Sequence, residues 1–126
     1  MGLFNAILGH SSDVDTGKLD DEFATILVPG ESIAAAYRVV RDMLVFTDRR
    51  LILVDRQGVT GRKTEYLSIP FREVARFSVE TAGTFDMEAE LKIWLRGVTE
   101  PIARTFPRGG GIAEVHRTIA ACVLGK

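Results

Sequence analysis

The sequence predicts a mainly β domain: about seven short antiparallel strands bent into a small barrel or sandwich, capped by a C-terminal helix and preceded by short N-terminal helices. Three observations carry this. From Glu31 onward, β-compatible runs recur about every ten residues, separated by connections that often hold Gly or Pro. From Phe85 to Leu95 the chain alternates, with Phe85, Met87, Ala89, Leu91, Ile93 and Leu95 on one face and Asp86, Glu88, Glu90, Lys92 and Trp94 on the other. After Arg108-Gly109-Gly110-Gly111, Ile112, Val115, Ile119, Cys122 and Val123 fall on one side of a helix.

Each element follows from its residues. Leu3, Phe4, Ile7 and Leu8 sit at helical spacing within Met1 to Gly9, a segment too short to overcome the cost of helix nucleation alone. It must dock, on the domain or on a neighbouring copy, which makes Leu3, Phe4 and Ile7 candidate subunit contacts. Ser11 to Thr16 offers capping residues. Leu19, Phe23, Ile26 and Leu27 then define a one-sided helix, which Pro29-Gly30 stops. Residues 1–30 are thus expected to be a helical extension and 31–126 the β domain, in a single-domain chain.

Within 31–126 the runs ESIAAAYRVV and MLVFT flank Arg41-Asp42, a spacing that suits a tight hairpin. Arg49 to Arg56 is dominated by Leu51, Ile52, Leu53 and Val54, and Gln57 to Gly61 supplies the glycines for reversal before KTEYLSIPF. Pro70 ends that strand or marks a sheet edge. RFSVET, the alternating run and EPIARTF complete the set. The final helix is expected to cover the open end of the barrel, since both surfaces are apolar.

Composition excludes several classes. The chain has 126 residues, 46% hydrophobic and 26% charged, with a formal net charge of −1, so no chain-wide basic coat for nucleic acid is present. No apolar window spans a bilayer, and no basic flank precedes an apolar core as in a secretory signal. Cytoplasmic location is therefore expected. A single cysteine, Cys122, builds neither an internal disulfide nor a metal cluster. Charge is nonetheless uneven. Residues 1–31 carry six acidic side chains against Lys18, whereas residues 32–76 carry nine basic against five acidic. Such regions attract one another within a chain or between copies, over about 8 Å at physiological salt.

VFTDRRLILVDRQGVTGRKTEYLSIPF from Val45 to Phe71, FSVETAGTFDMEAELKIWLRG from Phe77 to Gly97 and the C-terminal helix together resemble the bacterial pleckstrin-homology-like family, a small prokaryotic domain of unknown function. The resemblance covers nearly the whole chain. It implies a seven-stranded, strongly bent sheet capped by a helix and an association with ring-like homo-oligomers, and it does not imply an enzyme. Eukaryotic pleckstrin-homology domains that bind phosphoinositides place Lys and Arg in the loop between their first two strands. Here that connection is Val40-Arg41-Asp42-Met43, too short to wrap a headgroup and diluted by Asp42.

Five groups of residues are weighed for function. Arg56, Arg62 and Lys63 flank a Gly-rich hairpin whose backbone N–H groups and cations suit a phosphate or carboxylate. The segment lacks the Gly-Lys-Ser/Thr ending of a Walker loop, and a solvated turn is the plainer explanation. Asp86, Glu88 and Glu90 share a strand face, where divergent side chains fit a solvated or subunit-facing surface, pairing with Lys92 or Arg104, better than a metal cage. Trp94, the single tryptophan, lies on that polar face, as an interface anchor or beneath the N-terminal helices. His10, Ser11, Ser12, Asp13 and Asp15 contain catalytic residue types, but a contiguous turn seldom converges them. Met1-Gly2 lacks the hydroxyl residue of a myristoylation signal, since Ala6 stands there.

The expectation is therefore a binding and assembly module with no catalytic set, cofactor or metal. Its partners are other copies, in a ring, and an unidentified protein. Neither nucleic acid nor a membrane is expected, although anionic-lipid binding through Arg56, Arg62 and Lys63 is the alternative.

Overall fold

The structure, a computed structural model, describes residues 16–39, 42–58, 62–84 and 87–125. Its contacts divide the chain into two units, one ending at Ser68 and the other beginning at Ile69. The first contains helix α1 (Thr16–Phe23) and strands β1 (Ile33–Val39), β2 (Asp42–Thr47) and β3 (Arg50–Gln57). The division falls within β4 (Lys63–Pro70). The second contains a 3-10 turn (Phe71–Glu73), β5 (Val74–Thr81), β6 (Ala89–Leu95), β7 (Ile102–Phe106) and helix α2 (Ile112–Leu124).

The strands form two antiparallel sheets, ordered β1-β2-β3-β4 and β5-β6-β7. The count of seven and the terminal helix match the sequence reading. Closure into one barrel does not, because hydrogen bonding makes two separate sheets instead of one ring of strands.

In the first sheet β1, β2 and β3 are buried on both faces, whereas β4 is mostly exposed. Ala36, Val45 and Ile52 lie in register across β1, β2 and β3 and share a face with Met43 and Val54. Leu19 and Phe23 of α1 join this face, with Ile26 and Leu27 packed against it. The opposite face carries Ala35, Tyr37, Leu44, Phe46, Leu51 and Leu53, each no more than 1% exposed. Tyr37 and Phe46 meet edge to face, 6.0 Å between ring centroids. Burial on both sides explains why MLVF and LILV read as unbroken apolar runs instead of alternating.

Two boundaries in this first unit differ from the sequence reading. The helical spacing of Leu19, Phe23, Ile26 and Leu27 is real, but α1 ends at Phe23. The Phe23 carbonyl there accepts from both Ile26 N–H (3.0 Å) and Leu27 N–H (3.1 Å), a tightened last turn that satisfies a carbonyl the helix would otherwise leave unpaired. In the first hairpin Asp42 already pairs with Val39, so the connection is residues 40–41, one position earlier than Arg41-Asp42. Gly30 has φ +86°, and a Cβ there would meet the Arg49 guanidinium at 3.2 Å.

The second sheet has one buried face. Ala89, Leu91 and Ile93 of β6 are at most 3% exposed, as the alternation predicts. The strand itself begins only at Ala89, later than the pattern that starts at Phe85. Helix α2 buries Ile112, Val115, Thr118 and Ile119, and its His116 ring stands edge to face on Phe77 of β5, 5.8 Å between centroids.

Candidate functional site

The first polar centre is one the sequence did not announce. Glu31, just ahead of β1, has a side chain only 1% exposed. Four donors fill its carboxylate: Arg50 Nε (2.8 Å) and the Thr47 hydroxyl (2.7 Å) on Oε2, Arg50 Nη2 (2.9 Å) and Val28 N–H (3.1 Å) on Oε1. Arg50 also donates to the Ile26 carbonyl (2.9 Å) and the Ser68 hydroxyl (3.0 Å). Hydrogen bonding from Arg50 holds the Glu31 carboxyl at about 2, with Thr47 and Val28 assisting against the opposing pull of burial. Such a saturated pair is a clasp for the segment between α1 and β1. No buried side-chain nitrogen or oxygen among the described residues lacks a partner.

The second centre involves Arg56. Its Nη2 donates to both Glu22 oxygens (3.0 and 2.9 Å), and the Tyr66 hydroxyl donates to Glu22 Oε2 at 2.6 Å. Tyr66 also meets Phe23 edge to face, 5.9 Å between centroids. Burial opposes charge on Arg56, yet the hydrogen bonds and negative charge of Glu22 raise its pKa. Burial and the neighbouring Glu22 carboxylate likewise raise Tyr66. Arg56 thus ties α1 to the sheet. Arg62 and Lys63, the other members of the hairpin candidate, are exposed where β4 begins. Residues 59–61 of that hairpin lie outside the described residues.

The third centre is the outer face of the second sheet. The register makes three rungs between β5 and β6: Arg76 with Trp94, Ser78 with Lys92, and Glu80 with Glu90. The Arg76 guanidinium sits 4.5 Å from the centroid of the half-exposed Trp94 ring, a cation–π contact. Lys92 Nζ stands 3.9 Å from Glu80 and 3.8 Å from Glu90, so this expected pairing is present. Arg104 does not join it. Its register partner is Leu91 on the other face, and its Nη1 donates to the Ala103 carbonyl instead. Glu80, Glu88, Glu90 and Thr105 border a shallow cleft of about 350 Å³.

Of the residues singled out as subunit contacts, Glu88, Glu90 and Trp94 therefore share one surface, while Leu3, Phe4, Ile7 and Asp86 lie outside the described residues. Residues 10–15, with the catalytic residue types, lie outside them too. Cys122 is half-buried, and burial pushes its thiol up to about 11, far from a reactive thiolate. Among the described residues no three His, Cys, Asp or Glu side chains are grouped to hold a metal. No helix there is long and apolar enough to cross a membrane. Glu31 and Arg50 escaped the sequence reading because neither belongs to a motif; the one available signal was a lone acidic residue immediately before a strand.

Comparisons with known proteins agree with this architecture. A Bacillus subtilis (strain 168) protein, uncharacterized YjqA, is 48% identical over 98% of this chain and 100% of its own length. A second from the same organism, uncharacterized YozO, is 29% identical over 94% of this chain and 95% of its own. Among solved structures, a pleckstrin homology domain from Shewanella amazonensis SB2B superposes with a TM-score of 0.83 at 50% identity, covering 93% of this chain and 94% of that one. A DUF1696 family protein with a pleckstrin-homology domain from Shewanella loihica PV-4 gives 0.76 at 46% identity, covering 87% and 94%. With the bacterial PH domain profile matching residues 2–123, the chain belongs to the bacterial PH domain family.

Proposed function

We propose that this chain is a non-enzymatic, cytoplasmic binding and assembly module that forms a homo-oligomeric ring and offers repeated sites to a protein partner. The observation that carries this reading is the outer face of the β5–β6–β7 sheet. It sets a half-exposed tryptophan beside an arginine at one end and carboxylates at the other. Aromatic and Arg side chains on an otherwise polar face are the composition of an interface anchor. Ring contacts are heterologous and need two unlike patches, which the uneven charge of the chain supplies. Native mass spectrometry of the full chain at micromolar concentration tests the assembly: higher-order species are expected, and a monomer alone would overturn it.

A second reading has a specific observation behind it. Arg56 and Tyr66 already grip a carboxylate, that of Glu22, and Arg62 and Lys63 stand exposed across the same hairpin. These groups would recognise an anion or an anionic lipid headgroup once Glu22 swings aside. Sedimentation with anionic vesicles at low and physiological salt tests it, and no binding in either condition removes it.

A further inference from the structure

The groups that grip Glu22 are held in place by supports that do not involve its side chain. Asp42 Oδ1 accepts the Arg56 backbone N–H (3.2 Å), which roots the arginine near the end of β3, and the wholly buried Phe23 ring braces Tyr66 edge to face. Leu19 and Phe23, at most 3% exposed, fasten α1 to the sheet, so Glu22 can turn about its own side-chain bonds while the helix stays where it is. Solvent reaches the Glu22, Arg56 and Tyr66 side chains alike, so the carboxylate can exchange. Turned outward, it leaves Arg56 Nη2 and the Tyr66 hydroxyl aimed at one position, because both donate to the same oxygen, Oε2, at 2.9 and 2.6 Å. Exposed Arg62 precedes Tyr66 by four residues and so shares its strand face, about 13 Å away at the rim; Lys63 falls on the opposite face.

A free carboxylate offers this grip nothing that Glu22 lacks, and Glu22 is tethered at an effective concentration of roughly millimolar or more. A phosphate monoester does offer more. It carries about two negative charges near pH 7 and three acceptor oxygens, enough for Arg56, Tyr66 and Arg62 together. We propose that Arg56, Tyr66 and Arg62 form a site for a phosphate monoester and that Glu22 is its tethered competitor, filling the site until that dianion displaces it. This rests on the anion reading above and adds to it the ligand class, the Tyr66 hydroxyl as a donor and the gate.

An NMR titration of the full 15N-labelled chain with inorganic phosphate tests both parts, and the dispersion of the same spectra shows each variant to be folded. Wild type is expected to bind weakly, with shifts at Arg56, Arg62 and Tyr66. Glu22→Gln should bind on the order of tenfold more tightly, since the competitor has lost its charge. Asp21→Asn removes a neighbouring exposed carboxylate of α1 and should leave the affinity at its wild-type value. An equal gain there would reduce Glu22 to general repulsion and overturn the gate. Adding Tyr66→Phe or Arg56→Gln to Glu22→Gln should abolish the gain; its survival in both would place the phosphate elsewhere. Vesicles containing phosphatidic acid separate the sources: tighter binding by Glu22→Gln than to free phosphate assigns the group to a lipid, and no binding assigns it to a soluble molecule. If wild type and Glu22→Gln bind phosphate equally, the gate is wrong although the anion reading stands. If neither binds phosphate or vesicles, both readings fall.

Discussion

The two sheets use their faces differently. Strands β1 to β3 bury apolar side chains on both faces, and the polar groups around them are paired so as to hold the chain: Glu31 with Arg50 and Thr47, Glu22 with Arg56 and Tyr66. The β5–β7 sheet buries Ala89, Leu91 and Ile93 on one face and leaves on the other a row of charges and one tryptophan that hold little together. Polar residues of the first sheet should therefore govern stability, and those of the second, association.

The strongest check on the first half of that contrast is Phe23→Ala. Phe23 is wholly buried, and its truncation should cost about 4 kcal/mol in denaturant unfolding. Glu31→Gln should follow at about 3 kcal/mol, because it removes the charge that Arg50 is held against. A comparable effect is expected from acid. With Glu31 depressed from 4.5 to about 2, its contribution of about 3 kcal/mol is complete above pH 4.5 and fades as pH falls toward 2. Unfolding measured across that window should be steep in the wild type and flatter in Glu31→Gln; equal slopes would mean the clasp is not the acid-sensitive element.

Smaller effects refine the contrast. Glu22→Gln weakens a pair whose side chains are 24% and 28% exposed, so a loss of about 1 kcal/mol is expected from the same unfolding assay. Arg76→Ala, on the outer face of the second sheet, should change monomer stability by about 0.5 kcal/mol at most. A loss as large as that of Glu31→Gln would make the outer face structural and erase the distinction.

The alternation through β6 and the stripe of Ile112, Val115 and Ile119 were legible because each is a half-buried element, whose period appears directly in the residue order. Leu51 to Val54 revealed a strand but not its neighbours, since a strand buried on both sides has no polar face to orient it. Trp94 drew notice as an aromatic on a polar face; Arg76, its partner, looked like any of the chain's arginines. Glu22 and Arg56 are 34 residues apart, and nothing in their spacing pairs them.

Local order in the residues was enough to specify strand count, the terminal helix and the family, because hydrophobic periodicity and turn chemistry act between near neighbours along the chain. Pairings across long loops were settled by folding. Division of the strands into two sheets, the Glu31–Arg50 clasp and the graded face around Trp94 all depend on register between segments distant in sequence, and register emerges when apolar faces seek burial together.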